Sequence, residues 1–120
     1  MGQEVVVVRA PAPCSLDELV ARIRPALEAA GALRAVVFGS WARGTADGFS
    51  DLDLAVVLRT DLPPLDRPRL LGAVLDALPG IGVDLVVYTP EEWEQGLARG
   101  IDLFDSIRRE GVTVHARRDA

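Results

Sequence analysis

Two carboxylates, Asp51 and Asp53, stand one residue apart in Ser50-Asp51-Leu52-Asp53-Leu54. On a strand, positions 51 and 53 project from one face and 52 and 54 from the other. Leu52 and Leu54 can then enter a core while the two acids share a face, roughly 6–7 Å apart at Cα. Two such charges repel by about 2–3 kcal/mol at an effective dielectric of 20. A divalent cation between them turns that cost into binding. At a solvated strand entrance water would simply screen them, so the D-x-D pattern alone decides little. Asp84 is the only charge in Val83-Asp84-Leu85-Val86-Val87-Tyr88. A carboxylate in an apolar strand needs a partner or an exposed end, because burying it unpaired is very costly. If its strand lies beside that of Asp51, it supplies a third oxygen ligand.

Gly39-Ser40-Trp41-Ala42-Arg43-Gly44 directly follows an apolar run. Gly39 lets the backbone turn sharply and approach a ligand. Ser40 can cap a helical turn whose free N–H groups suit phosphate oxygens, and Arg43 is the one cation of the loop. A glycine turn with an incidental serine would read the same way in isolation. Ser50 either orients Asp51 or ends the loop. Trp41 could stack on a base, but packing the loop down is the simpler role. Trp93 and Phe104 read as core or interface, Cys14 as inert, and His115 is assigned nothing.

These residues need a scaffold of strands and helices. Ser15 and Glu18 form a capping-box pattern, and Leu16, Leu19, Val20, Ile23 and Leu27 give one helical stripe. Pro25 should kink that helix and Gly31 should end it. Leu33–Phe38 reads as a strand, 39–48 as a loop with a short helical turn, and Leu52–Leu58 as a second strand. Leu62-Pro63-Pro64 reads as loop. Leu70, Leu71, Val74, Leu75 and Leu78 form the stripe of a second helix, ended by Pro79-Gly80. Val83–Tyr88 is a third strand. Thr89, Pro90 and Glu92 open another helix. Ile101, Phe104 and Ile107 mark the last helix, stopped by Gly111, and Val112 and Val114 alternate as a final short strand. Val5–Val8 is an edge strand or an arm. The expectation is one α/β domain over 1–120, a mixed sheet with flanking helices, with 1–14 as an N-terminal arm or edge strand.

Composition narrows the chemistry. Net charge is −5 without a basic cluster, so non-specific nucleic-acid binding, which needs a cationic face, is not expected. All 13 basic residues are arginines. That excludes a P-loop lysine, a Schiff base and a lysyl-nucleotide intermediate. A single histidine excludes a His-rich metal site, and a single cysteine excludes an intramolecular disulfide and a cysteine zinc cluster, as suits a reducing cytoplasm. No apolar run reaches the roughly 20 residues of a membrane span, and the first residues do not read as a signal peptide. Hydrophobic residues make up 49% of the chain; with Gly counted and Tyr left out the share is roughly 57% against a usual 45–50%, a surplus that suits a partner surface.

Taken together, Gly39-Ser40, Asp51 and Asp53, and Asp84 resemble the pattern of the nucleotidyltransferase superfamily related to DNA polymerase β. The stretch Val37 to Gly44 and the run Ser50 to Leu54 are similar to its minimal nucleotidyltransferases. The resemblance implies that Asp51 and Asp53 bridge two Mg²⁺ ions and that Asp84 completes the catalytic one. It implies that Gly39 and Ser40, with Arg43 and Ser50 beside them, hold the phosphates of ATP or another nucleoside triphosphate. It also implies in-line attack on the α-phosphorus with release of pyrophosphate. Small members of the family often pair with a helical HEPN-type toxin, acting as antitoxin and placing AMP on it. The expected partners are therefore a nucleoside triphosphate and a HEPN-type protein, in a homo- or hetero-oligomer. Two alternatives stand beside this: a non-catalytic nucleotide-binding or interaction module, and a subunit that modifies a small molecule such as an antibiotic.

Overall fold

A computed structural model describes residues 11–100 and 103–117. The arm or strand expected at Val5–Val8, and Ile101, lie outside the described residues. The elements run α1 (Leu16–Ala29), β1 (Arg34–Phe38), α2 (Ser40–Arg43), β2 (Leu52–Val57), a 3-10 segment (Pro64–Leu71), α3 (Gly72–Asp76), β3 (Val83–Tyr88), α4 (Pro90–Arg99), α5 (Leu103–Glu110) and β4 (Val112–Ala116). The strands form one sheet in the order β3-β2-β1-β4. β2 pairs antiparallel with β1 and parallel with β3, and β4 pairs antiparallel with β1. The sheet is therefore mixed, as expected.

Alternation along β1 and β2 divides the core into two layers. Ala35, Val37, Leu52, Leu54 and Val56 pack on one face with Leu19, Ile23 and Leu27 of α1 and Val74 of α3. Val36, Phe38, Ala55 and Val57 pack on the other face with Trp93 of α4 and Phe104 and Ile107 of α5. Trp93 and Phe104 meet edge to face at 5.7 Å, which confirms both as core. Helices thus cover both faces of the sheet, and the polar residues of β2 share the α4/α5 face.

The helix starts form where capping chemistry placed them. Ser15 Oγ accepts from the Glu18 N–H at 3.1 Å, and the Ser15 hydroxyl, at 3.1 Å, donates to the Glu18 carboxylate. Thr89 and Glu92 form the full reciprocal box before α4. Helix α1 runs through Pro25 and ends before Gly31, whose φ is +78°.

One element departs from the pattern read in the sequence. Leu62 and Pro63 are loop, but Pro64, read as loop too, opens a 3-10 helix that runs to Leu71 and passes into a short α3 of five residues. Leu71, Val74 and Leu78 are buried, but Leu70 and Leu75 are about 40% exposed. A 3-10 helix turns in three residues rather than 3.6, so the stripe that assumed one continuous α-helix does not keep its face. Within the same segment Arg67 is buried and clamps the layer. Its Nε donates to Leu62 O at 2.9 Å, and Nη1 donates to Val87 O at 3.1 Å and to Glu92 Oε1 at 2.6 Å.

Candidate active site

The carboxylates stand at one end of β2 and β3. The parallel register sets Asp53 directly opposite Asp84 and Leu54 opposite Leu85. Asp84 therefore shares the face of Asp53 and Asp51, the face it needs. Asp53 is partly buried, whereas Asp51 and Asp84 are exposed. Partial burial, the facing charge of Asp84, a side-chain hydrogen bond to Asp84 and the charge of Asp51 all raise the Asp53 pKa, and only Arg43 opposes them. Asp53 and Asp84 thus form a facing pair of carboxylates, with Asp51 adding to the negative field.

Glycines make room for two of these carboxylates. A Cβ built on Gly39 would overlap Asp53 Oδ2, and one built on Gly82 would overlap Asp51 Oδ1. Gly39 adopts φ +73°, ψ −152°, a region open to glycine and strained for other residues. It ends the strand that pairs with β2, since Phe38 is the register partner of Asp53. The turn therefore comes close to the carboxylate because glycine permits both its shape and its approach.

The loop after β1 closes on itself. Arg43 N–H donates to Gly39 O at 3.0 Å, and Thr45 N–H donates to Ser40 O at 3.0 Å. Trp41 is 4% exposed and belongs to the main core, so it packs the loop down. Among the described residues its indole Nε1 is buried without a hydrogen-bond partner. Arg43 Nη1 meets both oxygens of Glu110, at 3.1 and 3.0 Å, and Gly39 N–H donates to Glu110 Oε1 at 3.2 Å.

The Ser50 hydroxyl does not turn to Asp51. It accepts from Asp47 N–H at 2.9 Å and donates to Asp47 Oδ1 at 3.2 Å, which locks the turn that enters β2. That turn leaves Phe49 73% exposed beside the site. His115 contacts Ala32 O at 2.9 Å, and Cys14 is a half-buried free thiol near Trp41.

Hard carboxylate oxygens are the donor type that Mg²⁺ takes, and burial first, then the charges of Asp84 and Asp51, disfavour the ionised Asp53 that a cation would stabilise. The donor set fits such an ion in chemistry. Among the described residues, however, no group of three His, Cys, Asp or Glu side chains is gathered closely enough to enclose a metal ion.

Sequence reasoning singled out Gly39, Ser40, Arg43, Ser50, Asp51, Asp53 and Asp84, and the structure groups these at one end of the sheet. It missed Gly82, Asp47, Phe49 and Glu110. Gly82 was legible only as part of a turn, and Glu110 only as the end of a helix.

A mixed sheet with helices on both faces, a glycine-serine turn after one strand and carboxylates on the next two define a nucleotidyltransferase-type domain. The sequence profile of the nucleotidyltransferase domain matches residues 20–109, and the chain belongs to that family. Solved structures agree. The chain is similar to a toxin–antitoxin complex with AMP-PNP, at 23% identity and TM-score 0.59, over 83% of this chain and 75% of that one. It is similar to a structure described as a minimal nucleotidyltransferase, at 34% identity and TM-score 0.57, over 84% and 97% of the two chains. It is also similar to a complex of a tri-AMPylated Shewanella oneidensis HEPN toxin with its MNT antitoxin, at 20% identity and TM-score 0.55, over 86% and 74%. No curated protein matches. Among the described residues no helix is long and apolar enough to cross a membrane.

Proposed function

We propose that this nucleotidyltransferase moves AMP from ATP to a hydroxyl on a helical protein partner of the HEPN type, and so acts as its antitoxin. The observation that carries the reading is the Asp53–Asp84 pair beside the Gly39 turn. It brings a cation-seeking carboxylate cluster to the side of the loop that offers a guanidinium.

In this reading Asp51, Asp53 and Asp84 hold Mg²⁺, with two ions as the family resemblance implies. The metal supplies charge neutralisation for the triphosphate and for the attacking oxygen. Arg43 and the Gly39-Ser40 turn hold the β- and γ-phosphates. The acceptor oxygen attacks the α-phosphorus in line, a new P–O bond forms, and the bond to the β-phosphate breaks to release pyrophosphate. Partial burial and the facing charge of Asp84 disfavour the ionised form of Asp53 in the metal-free protein, a cost that a bound cation would offset.

The partner reading rests on two supports. Two of the similar structures are toxin–antitoxin complexes, one of them with an AMPylated HEPN toxin. On this chain Leu65 is 94% exposed, and Leu70 and Leu75 of the following turns are open as well, apolar surface that a partner could cover.

The test is co-expression with the product of the neighbouring reading frame, followed by sizing and intact mass of that product after incubation with ATP and Mg²⁺. The expected result is a stable complex, pyrophosphate release that requires Mg²⁺, and a partner heavier by one or more AMP groups. Pyrophosphate release with an unmodified partner would move the acceptor to a small molecule. Absence of release would leave an interaction module.

A further inference from the structure

We infer that Glu110, which no part of the mechanism above uses, is the positioning residue for Arg43 and the Gly39 turn. The inference rests on the nucleotide-binding reading. One carboxylate serves three bonds: Gly39 N–H to Oε1 at 3.2 Å, and Arg43 Nη1 to Oε1 and Oε2 at 3.1 and 3.0 Å. These bridge 71 and 67 residues of sequence. They join the last residue of α5 to the two ends of the short α2 turn that follows β1.

The contact is built into the fold. Glu110 is the last residue of α5, a helix packed on β1 through Phe104 and Ile107. Gly111 follows, and a Cβ there would overlap the Ile107 carbonyl and the Val36 side chain. The chain can therefore turn tightly from α5 into β4, which pairs with β1. Strand β1 thus carries Gly39 at its end and anchors the elements that deliver Glu110. The carboxylate reaches the loop from a fixed base.

The bonding pattern favours orientation over blockade. Glu110 engages only Nη1 of the guanidinium. Nη2 and Nε of Arg43 have no partner among the described residues, so two edges of the rigid fork remain for phosphate oxygens. A long arginine side chain loses rotamer freedom when it binds a ligand, and a side chain already held loses less. The charge of Arg43 lowers the Asp53 pKa against the larger causes that raise it, so the held guanidinium acts on the field of the carboxylates. The same carboxylate pins the Gly39 N–H, which fixes the entrance of the turn. The hydrogen bond from Arg43, first among the causes, holds the Glu110 carboxyl below its usual range.

The experiment compares wild type, E110Q, E110A, R43A and the double variant R43A/E110Q by calorimetry with ATP and Mg²⁺ and by steady-state pyrophosphate release. An exposed ion pair adds little to stability, so E110Q folds, and thermal melts check that it does. The expected result is a KM for ATP raised about tenfold in E110Q with kcat nearly unchanged, the mark of lost ground-state binding. E110A, which also loses the acceptor for Gly39 N–H, is worse. In the R43A background E110Q adds nothing, because the two residues act as one unit. Tighter ATP binding in E110Q would overturn the inference and make Glu110 a competitor of the phosphates. Additive losses in the double variant would overturn it as well, leaving an independent structural role. A folded wild type that binds no ATP with Mg²⁺ would instead remove the nucleotide reading itself, and this inference with it.

Discussion

The Asp51 carboxylate lies so close to Gly82 that any Cβ at position 82 would overlap it. Gly82 O also accepts the Leu52 N–H at 2.8 Å, so the residue before β3 and the residue after Asp51 are bonded. The glycine has no positive φ to explain it. Its role is room, not conformation. Gly82→Ala should therefore leave the backbone unstrained and push Asp51 out of line. Disturbing what orients a metal ligand typically costs about 10–100-fold in metal affinity or activity. Titration with Mg²⁺ in the presence of ATP should show a loss in that range with a melting temperature close to wild type. Full activity in Gly82→Ala would mean that Asp51 is not needed where it stands.

The Asp53–Asp84 pair predicts the behaviour of Asp53→Asn in both directions. Partial burial and the neighbouring carboxylates hold the Asp53 pKa above its usual 3.8. A raised folded pKa means that the fold prefers the protonated form. Its stabilising contribution is complete below the unfolded pKa and lost as pH rises through the folded pKa. At neutral pH the charged Asp53 therefore strains the metal-free protein. Asp53→Asn should melt at the same temperature as wild type or higher at pH 7 without metal, and the difference should vanish towards pH 3. With ATP and Mg²⁺ the order should reverse, and nucleotidyl transfer should be abolished. Normal turnover by the Asp53→Asn protein would refute the role proposed for the carboxylates.

The parts of this molecule that were legible in the sequence are those written in local chemistry. Strand β3 and helix α4 stand where the apolar run and the Thr89-Glu92 box put them. Asp51 and Asp53 share a face because strand periodicity requires it. The segment after Pro63 was not legible, because Leu70 and Leu75 fit an α-helical stripe while Pro64 and Pro68 bring in a tighter helix. Glu110 and Gly82 were hidden for another reason. Their value lies in contacts with Arg43, Gly39 and Asp51, which are far away in sequence. Arg67 was missed likewise, since its partners Val87 and Glu92 are 20 and 25 residues away.

Gly96 offers a test of the helical layer under the site. In an exposed helix interior, Gly→Ala stabilises by roughly 0.5–1 kcal/mol. Here a Cβ would overlap the ring of Phe104, which is buried against Trp93 and Tyr88. Forcing extra volume into a packed cluster costs typically about 1–3 kcal/mol, so packing outweighs propensity. Gly96→Ala should melt lower than wild type, and near-ultraviolet circular dichroism should show a disturbed aromatic signal. A higher melting temperature would show that the α4–α5 seam is looser than it looks.

The buried Arg67 gives the last prediction. Its guanidinium donates to Leu62 O, Val87 O and both oxygens of Glu92, tying the 3-10 segment to the end of β3 and the start of α4. Lysine has one nitrogen and cannot satisfy the carbonyls and the carboxylate together, so Arg67→Lys should destabilise nearly as much as Arg67→Met. Leaving buried polar groups unsatisfied costs about 1–3 kcal/mol. The pH dependence follows from Glu92, whose pKa is lowered first by the hydrogen bond from Arg67 and then by the Thr89 N–H. A lowered folded pKa means that the stability is present above the unfolded value of 4.5 and is lost as pH falls through the folded pKa. The gap in melting temperature between wild type and Glu92→Gln should therefore be open at pH 7 and close progressively below about pH 4.5. The ion pair lies at the end of β3 away from Asp84, so ATP affinity per folded molecule should not change. A gap that persists undiminished at the acid end would mean that the Thr89 cap and packing, not the charge on Glu92, hold this corner together.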